Sequence, residues 1–195
     1  MSAPRPSSLL SAKLLGYLAA IITVSIWAAF LVGTRFAITK NFSVEEILIL
    51  RLLPAAIIMA PLMLQLGILP PGNNLITRLI FALGASALFP WVLSVGLYYS
   101  PASNAGALAP GTLPFWTALI AYLIVHEKPE FSRQIGLFII LFGALLIGIL
   151  KLDADIANLT WVGNILFLLG AALWAIYSVL FRQSGIVPLH GLVIG

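Results

Sequence analysis

The sequence predicts an all-α protein that crosses a lipid bilayer several times. Hydrophobic residues make up 62% of the chain, charged residues make up 8%, and the mean hydropathy is +1.12. A soluble domain carries about 25% charged residues, and a water-soluble globule could not hide this much apolar surface. Six apolar stretches are long enough to span a bilayer, at about 17–25 residues each. They cover about 14–36, 43–66, 75–99, 102–125, 132–150 and 160–182.

The first two spans have clear boundaries. A polar tail, residues 1–13, precedes the first apolar run, which is too long for a signal-peptide core and lacks a small-residue cleavage site. The second span opens at a Ser-Val-Glu-Glu sequence, in which Ser43 and Glu46 are spaced to cap free backbone donors. Gly67 and a following Pro-Pro-Gly turn end this span.

The third and fourth spans contain prolines near the middle of the membrane. Pro90 lies in the third span, and Pro110 and Pro114 lie one turn apart in the fourth. Each proline removes an intrahelical hydrogen bond and kinks its helix, so the freed carbonyls need protein or water partners. Polar loops precede the fifth and sixth spans, and the apolar residues 188–195 are expected to begin a seventh helix.

Four of the five tryptophans lie within about 5–6 Å of the middle of their spans. They are Trp27, Trp91, Trp116 and Trp174. Tryptophans in membrane proteins usually lie at the headgroup level. Aromatic rings and broken helices at one depth predict a cavity near the midplane that tolerates polar groups. The alternative is that these rings pack between helices or face lipid.

The charged residues are informative because none of the acidic ones lies inside a span. All six are in loops or at helix ends, so no carboxylate could carry a proton at mid-membrane. They are Glu45, Glu46, Glu127, Glu130, Asp153 and Asp155. Arg51 is the deepest charge, and it either extends outward along its aliphatic stem or lines an outer vestibule with Arg35.

Several classes of function have no support in the sequence. The chain has no cysteine, no zinc-protease or nucleophile-elbow motif, and no phosphate-binding loop. It also has no basic face with interleaved aromatics, so nucleic-acid binding is not expected. We therefore predict neither catalysis nor a cofactor nor a metal site.

Two segments of the chain match in register. Gly163, Trp174 and Arg182 repeat the spacing of Gly16, Trp27 and Arg35, and Gly163 follows Gly16 by 147 residues (163 − 16). With five helices in that interval, the copies run in opposite directions, as in the inverted repeats of many transporters. The alternative is a chance alignment of two apolar helices.

The distribution of basic residues favours a cytoplasmic N-terminus, because cytoplasmic loops carry more Lys and Arg. Six residues are then cytoplasmic: Arg5, Lys13, Arg78, Lys128, Arg133 and Arg182. Four lie outside or near that interface: Arg35, Lys40, Arg51 and Lys151.

The region from Tyr98 to Glu127 resembles the third-to-fourth helix signature of the drug/metabolite transporter superfamily, EamA type. The shared features are the Ala-Ser-Asn-Ala sequence at 102–105, Pro114 followed by Phe, and Glu127 thirteen residues after that proline. The spacing of glycines in the fifth span and the Leu-Arg pair at Arg51 also fit. His126 departs from the pattern, since the family often has glycine there, and Pro110 is an additional proline.

The resemblance implies a ten-helix carrier with two inverted five-helix halves around a central cavity. Two copies of the repeat would need about 295 residues, so residues 14–150 are expected to form the first half and 160–195 an incomplete second half. The cavity is expected to lie among the first, third, fourth and sixth spans, with Trp174 facing Trp27 across it. The expected substrate-binding residues are Trp27, Phe30, Trp91, Pro110, Pro114, Trp116, Trp174 and Tyr177. Arg35, Arg51 and Glu127 are expected as helix-end or gate charges.

The function expected from these features is a permease of the bacterial inner membrane. It would export a small neutral or zwitterionic metabolite, amino-acid-like or amphipathic, by alternating access. Its partners would be that solute, the lipid bilayer and either the missing C-terminal half or a second chain. The alternatives are a non-transporting membrane fragment or assembly subunit, and a dimeric carrier resembling the small multidrug resistance proteins. The lack of a membrane carboxylate disfavours the proton exchange of the last class.

Overall fold

The structure, a computed structural model, describes residues 6–66, 81, 83–149 and 159–187. Over this part of the chain every regular element is helical, which confirms the predicted all-α class. The α-helices are α1 (Pro6–Thr39), α2 (Val44–Leu66), α3 (Phe89–Tyr99), α4 (Ala102–Leu108), α5 (Leu113–Ile120), α6 (Phe131–Ile149) and α7 (Thr160–Ser184). A π-helical segment, Leu83–Leu88, precedes α3, and another, Ala121–Val125, follows α5.

Four helical stretches are long and apolar enough to cross a membrane. They are Lys13–Thr39, Val44–Gln65, Ala102–Val125 and Thr160–Ser184. Phe131–Ile147 within α6 is also apolar but shorter. The polytopic membrane class is thus confirmed. Residues 75–80 of the third predicted span, residue 82 and the expected start of a seventh helix at 188–195 lie outside the described residues.

The start of α2 forms the capping box that the sequence predicts. The backbone N–H of Ser43 donates to Oε2 of Glu46 at 2.8 Å, and the N–H of Glu46 donates to Oγ of Ser43 at 3.2 Å. Two of the free donors at the helix N-terminus are therefore satisfied within the motif.

The two prolines of the fourth span interrupt its helix rather than only kinking it. α4 ends at Leu108 and α5 begins at Leu113, because neither Pro110 nor Pro114 has an N–H to continue the hydrogen-bond ladder. Thr112 compensates in part, since its Oγ1 donates to the carbonyl oxygen of Leu108. The predicted fourth span is therefore two short helices joined by a break.

A proline also marks the start of α3. Pro90 is the second residue after the π-helical segment, at a point where a regular α-helical ladder would lack one donor. Phe89 and Pro90, the first two residues of α3, are both buried. Both residues line a cleft at the centre of the bundle.

α7 is the central helix of the bundle, and its closest neighbour is α3. A third of the apolar window of α7 (33%) is buried, against 6% for α1. The two helices approach at Gly96 and Gly163, where a Cβ added to Gly163 would lie 2.6 Å from the Gly96 carbonyl oxygen. Small residues permit such contact between membrane helices.

The buried core lies between α7, α3, α4 and α1. Its members are Leu31, Phe89, Leu93, Leu97, Ala105, Leu108, Ala109 and Phe167. The outer faces of α1, α2 and α6 carry exposed aliphatic and aromatic side chains, as expected where lipid replaces water as the solvent.

Candidate functional site

Four aromatic side chains from three helices meet at the centre of the bundle. Trp27 of α1 and Trp174 of α7 have ring centroids 6.0 Å apart and ring planes at 83°. Phe89 lies 6.0 Å from Trp27 and 4.8 Å from Trp174, and Tyr177 lies 5.4 Å from Trp174. Tilted and edge-to-face pairs at these distances are favourable. The two tryptophans touch each other directly, instead of standing on opposite walls of a cavity.

A cleft of about 170 Å³ opens beside this aromatic cluster. Its walls are Ile26, Trp27, Phe30, Arg51, Phe89, Pro90 and Trp174. Trp27 and Trp174 lie within about 3 Å of the middle of Lys13–Thr39 and of Thr160–Ser184. The cleft is therefore at mid-membrane depth, with mostly apolar walls and one cation, the usual make-up of a small-molecule site.

Arg51 brings that cation to the cleft from α2. The Cζ atom of its guanidinium lies 3.7 Å from the ring centroid of Phe30 on α1. Arginine stacks well on aromatic faces, and the Arg51 side chain as a whole remains exposed. Neither of the two placements expected for Arg51 describes it: Arg51 stacks on Phe30 of α1 and lines the cleft, while Arg35 binds carbonyl oxygens of α3.

A second, open groove of about 500 Å³ runs between α1 and α2. It extends from Phe42 and Ile47, near the α1–α2 connection, to Arg51, and it shares Ile26, Phe30 and Arg51 with the central cleft. The stacked pair of Phe30 and Arg51 therefore lies at the boundary between the groove and the cleft.

A comparison with protein families decides the identity of this helical bundle. The model of the EamA-like transporter family matches residues 14–149, more than half of the chain. This chain belongs to the EamA-like transporter family. No curated protein and no solved structure matches it.

The family assignment confirms the resemblance predicted from the Tyr98–Glu127 region. It places the chain among multi-pass membrane transporters, and the helices of the structure agree with this. The matched residues end before the expected second copy of the repeat, so the inverted repeat stays a prediction.

The other predicted site residues of this EamA-like transporter lie away from the cleft. Trp91 is 42% exposed, because it follows Pro90 by one residue and turns to a different face of α3. Pro110 and Pro114 are exposed at the break between α4 and α5. Trp116 packs on its neighbour Phe115, at 5.6 Å between centroids. Of the eight predicted substrate-binding residues, Trp27, Phe30 and Trp174 line the cleft, and Tyr177 joins its aromatic cluster.

Phe89 was not among the predicted site residues. It is 4% exposed, lines the cleft and contacts both central tryptophans. The signal in the sequence was its position next to Pro90, at the same depth as the tryptophans. A second aromatic group extends from Tyr177, whose ring lies 5.9 Å from Phe81 and 5.7 Å from Phe181.

A buried polar cluster fixes α7 to the turn between α3 and α4. The side-chain oxygen of Asn164 accepts hydrogen bonds from Oγ of Ser100 at 2.8 Å and from Nδ2 of Asn104 at 3.1 Å. All three side chains are buried. Asn104 belongs to the Ala-Ser-Asn-Ala sequence at 102–105, so in this EamA-like transporter that sequence helps to hold α7 in place.

Arg35 and Glu127 act at helix ends, away from the cleft. The guanidinium of Arg35 donates to the carbonyl oxygens of Leu97 and of Tyr98, the latter at 2.9 Å, and so satisfies the C-terminus of α3. Glu127 accepts a hydrogen bond from Arg182 at 2.8 Å, and both side chains are exposed. The Glu127–Arg182 pair links the end of the fourth span to the end of α7.

Proposed function

We propose that this EamA-like transporter is a permease that exports a small amphipathic or amino-acid-like metabolite across a cell membrane, with its N-terminus in the cytoplasm. The observation that carries the proposal is the aromatic cleft at mid-depth, formed by Trp27, Phe89 and Trp174. A binding site at this depth is reachable from either side of the bilayer when the surrounding helices move, which is the basis of alternating access.

The cleft supports binding and release of a solute rather than a chemical reaction. The rings of Trp27, Phe89 and Trp174 offer apolar area and stacking faces, and the guanidinium of Arg51 is the cation in the wall. Its volume is below the range of about 300–1,000 Å³ for pockets that hold drug-sized ligands. The size therefore favours a small metabolite, or the apolar part of one.

The break between α4 and α5 gives the fold a place to bend. Pro110 and Thr112 lie in a stretch without a continuous backbone ladder, and α5 packs directly on α7. Movement at this break would change the position of α5 relative to α7, whose Trp174 lines the cleft. Membrane carriers use such discontinuous helices as hinges.

The proposal is tested by efflux from intact cells. Cells that express the chain are loaded with a panel of labelled aromatic and aliphatic amino acids, and the loss of label is followed over time. We expect faster efflux of one or more apolar amino acids than from cells with an empty vector. Equal efflux for the whole panel would contradict the proposal and favour the non-transporting alternative.

A further inference from the structure

Arg51 occupies an unusual depth for an arginine. It lies within about 5 Å of the middle of the spanning stretch Val44–Gln65. Ionisable side chains at this depth are costly unless they are engaged, and they usually mark a solute path. Among the residues that the structure describes, those lining the groove and the cleft beside Arg51 include no acidic side chain.

The stacking of Arg51 on Phe30 orients the guanidinium for binding. At 3.7 Å from the ring centroid, the Cζ atom is in contact with the face of Phe30. A guanidinium stacked by its face keeps its N–H donors at its edge, where they match the two oxygens of a carboxylate. The ring of Phe30 thus holds the cation while leaving its hydrogen-bonding edge available.

The residues around Arg51 suit an amphipathic solute, which has one apolar end and one polar end. Arg51 and Phe30 lie at the boundary of the groove and the cleft, and on the cleft side the walls are the rings of Trp27, Phe89 and Trp174. A solute with its apolar group between these rings would have its polar group next to the guanidinium.

We infer that Arg51 binds the carboxylate of the transported solute while the solute's apolar or aromatic group occupies the central cleft. The transporter then selects small organic acids and zwitterions over amides and amines of the same shape. This inference rests on the proposed permease function and adds the chemical group that is recognised.

The competing role for Arg51 is structural, as a link that holds α2 against Phe30 of α1. The two roles differ in a measurable way. A structural arginine changes the stability of the protein and lowers the affinity for all solutes alike. A carboxylate-binding arginine determines the ratio of affinities for a carboxylate and for its neutral counterpart.

The test compares two probes of equal shape, 3-phenylpropionate and 3-phenylpropionamide. Binding to the purified full chain in lipid nanodiscs is measured by isothermal titration calorimetry, for the wild type and for Arg51→Gln. Arg51→Lys is a second variant that keeps the charge but not the planar donor fork. Arg182→Gln is the matched control, because it removes an exposed arginine whose partner is Glu127.

We expect the wild type and Arg182→Gln to bind the carboxylate about tenfold or more tightly than the amide, since a hydrogen bond to a charged group discriminates at this level. Arg51→Gln should bring the ratio close to one, and Arg51→Lys should give an intermediate ratio. Equal affinity of the wild type for both probes would overturn the inference even if no Arg51 variant folds. It would leave the aromatic cleft of the proposed function intact.

The two proposals fail in different ways. If neither probe binds while cells still export members of the amino-acid panel, the inference about Arg51 is overturned and the permease function stands. If neither probe binds and no member of the panel is exported, both are overturned.

Discussion

The contact between α3 and α7 makes a quantitative prediction for Gly163→Ala. A Cβ at this position would lie 2.4 Å from Cβ of Ser100 and 2.6 Å from the carbonyl oxygen of Gly96. Ordinary contact begins at 3.4 Å, so the helices must separate by about 1 Å. The hydrogen bond of 2.8 Å between Ser100 and Asn164 would then exceed the usual limit.

The expected loss follows from these displacements. Overpacking costs about 1–3 kcal/mol, and a lost hydrogen bond adds about 1 kcal/mol. The higher helix propensity of alanine returns up to about 1 kcal/mol. We therefore expect Gly163→Ala to lower the free energy of unfolding by about 2 kcal/mol.

The register match within the sequence supplies the matched control. Gly16 is the counterpart of Gly163 in α1, and a Cβ added there would meet no atom within 4 Å. Gly16→Ala should therefore be neutral or slightly stabilising. Unfolding in detergent micelles, titrated with dodecyl sulfate and followed by tryptophan fluorescence, compares the two variants. Equal stability of Gly163→Ala and Gly16→Ala would refute the close contact of α3 and α7.

Three further predictions concern single side chains, and the same unfolding assay measures each. Asn164→Leu leaves the buried donors of Ser100 and Asn104 without their acceptor, so it should lower the free energy of unfolding by about 1–3 kcal/mol. A stability equal to that of the wild type would contradict the buried cluster. The backbone of His126 has a φ of 60°, in the left-handed region. Because glycine adopts this conformation without strain, His126→Gly should stabilise the protein by up to about 1 kcal/mol. A clear loss of stability would argue against this conformation. Arg182→Gln removes an exposed ion pair with Glu127 and should change the free energy of unfolding by less than about 1 kcal/mol. A larger loss would show that this pair stabilises the protein more than an exposed ion pair usually does.

The features that sequence analysis predicted correctly depend on distance along a helix. The spans follow from runs of apolar residues, and the capping box follows from the spacing of Ser43 and Glu46. The common depth of Trp27 and Trp174 follows from their positions along their own spans, although the two rings touch instead of facing each other across a cavity. Each of these properties can be read from the position of a residue in its own helix.

The features that the sequence did not predict depend on which way a side chain points. Trp91 lies at the depth of the cleft, but it is one residue after Pro90 and so points about 100° away from it around α3. Its side chain is therefore exposed instead of lining the cleft. The helix break exposes Pro110 and Pro114, and no local pattern gives the direction in which a broken helix continues. Phe89 was missed because its burial is set by packing against Trp174.

The resemblance leads us to expect glycine at the position of His126, and the backbone of His126 explains that expectation. The backbone at this position takes a conformation that glycine adopts without strain. Histidine is among the residues that tolerate it more often than most. A glycine at the end of the fourth span would therefore meet the same backbone requirement without strain.

The central claim is that solute is bound in the cleft beside Trp174, and efflux from cells expressing paired tryptophan variants tests it most directly. Trp174→Leu changes the wall of the cleft, while Trp91→Leu changes an exposed ring at similar depth outside it. With expression levels matched, we expect Trp174→Leu to lower the efflux rate about two- to tenfold, as the loss of a stacking contact of about 0.5–1.5 kcal/mol implies. Trp91→Leu should keep the wild-type rate. Equal efflux from both variants, or a loss confined to Trp91→Leu, would contradict the assignment of the cleft.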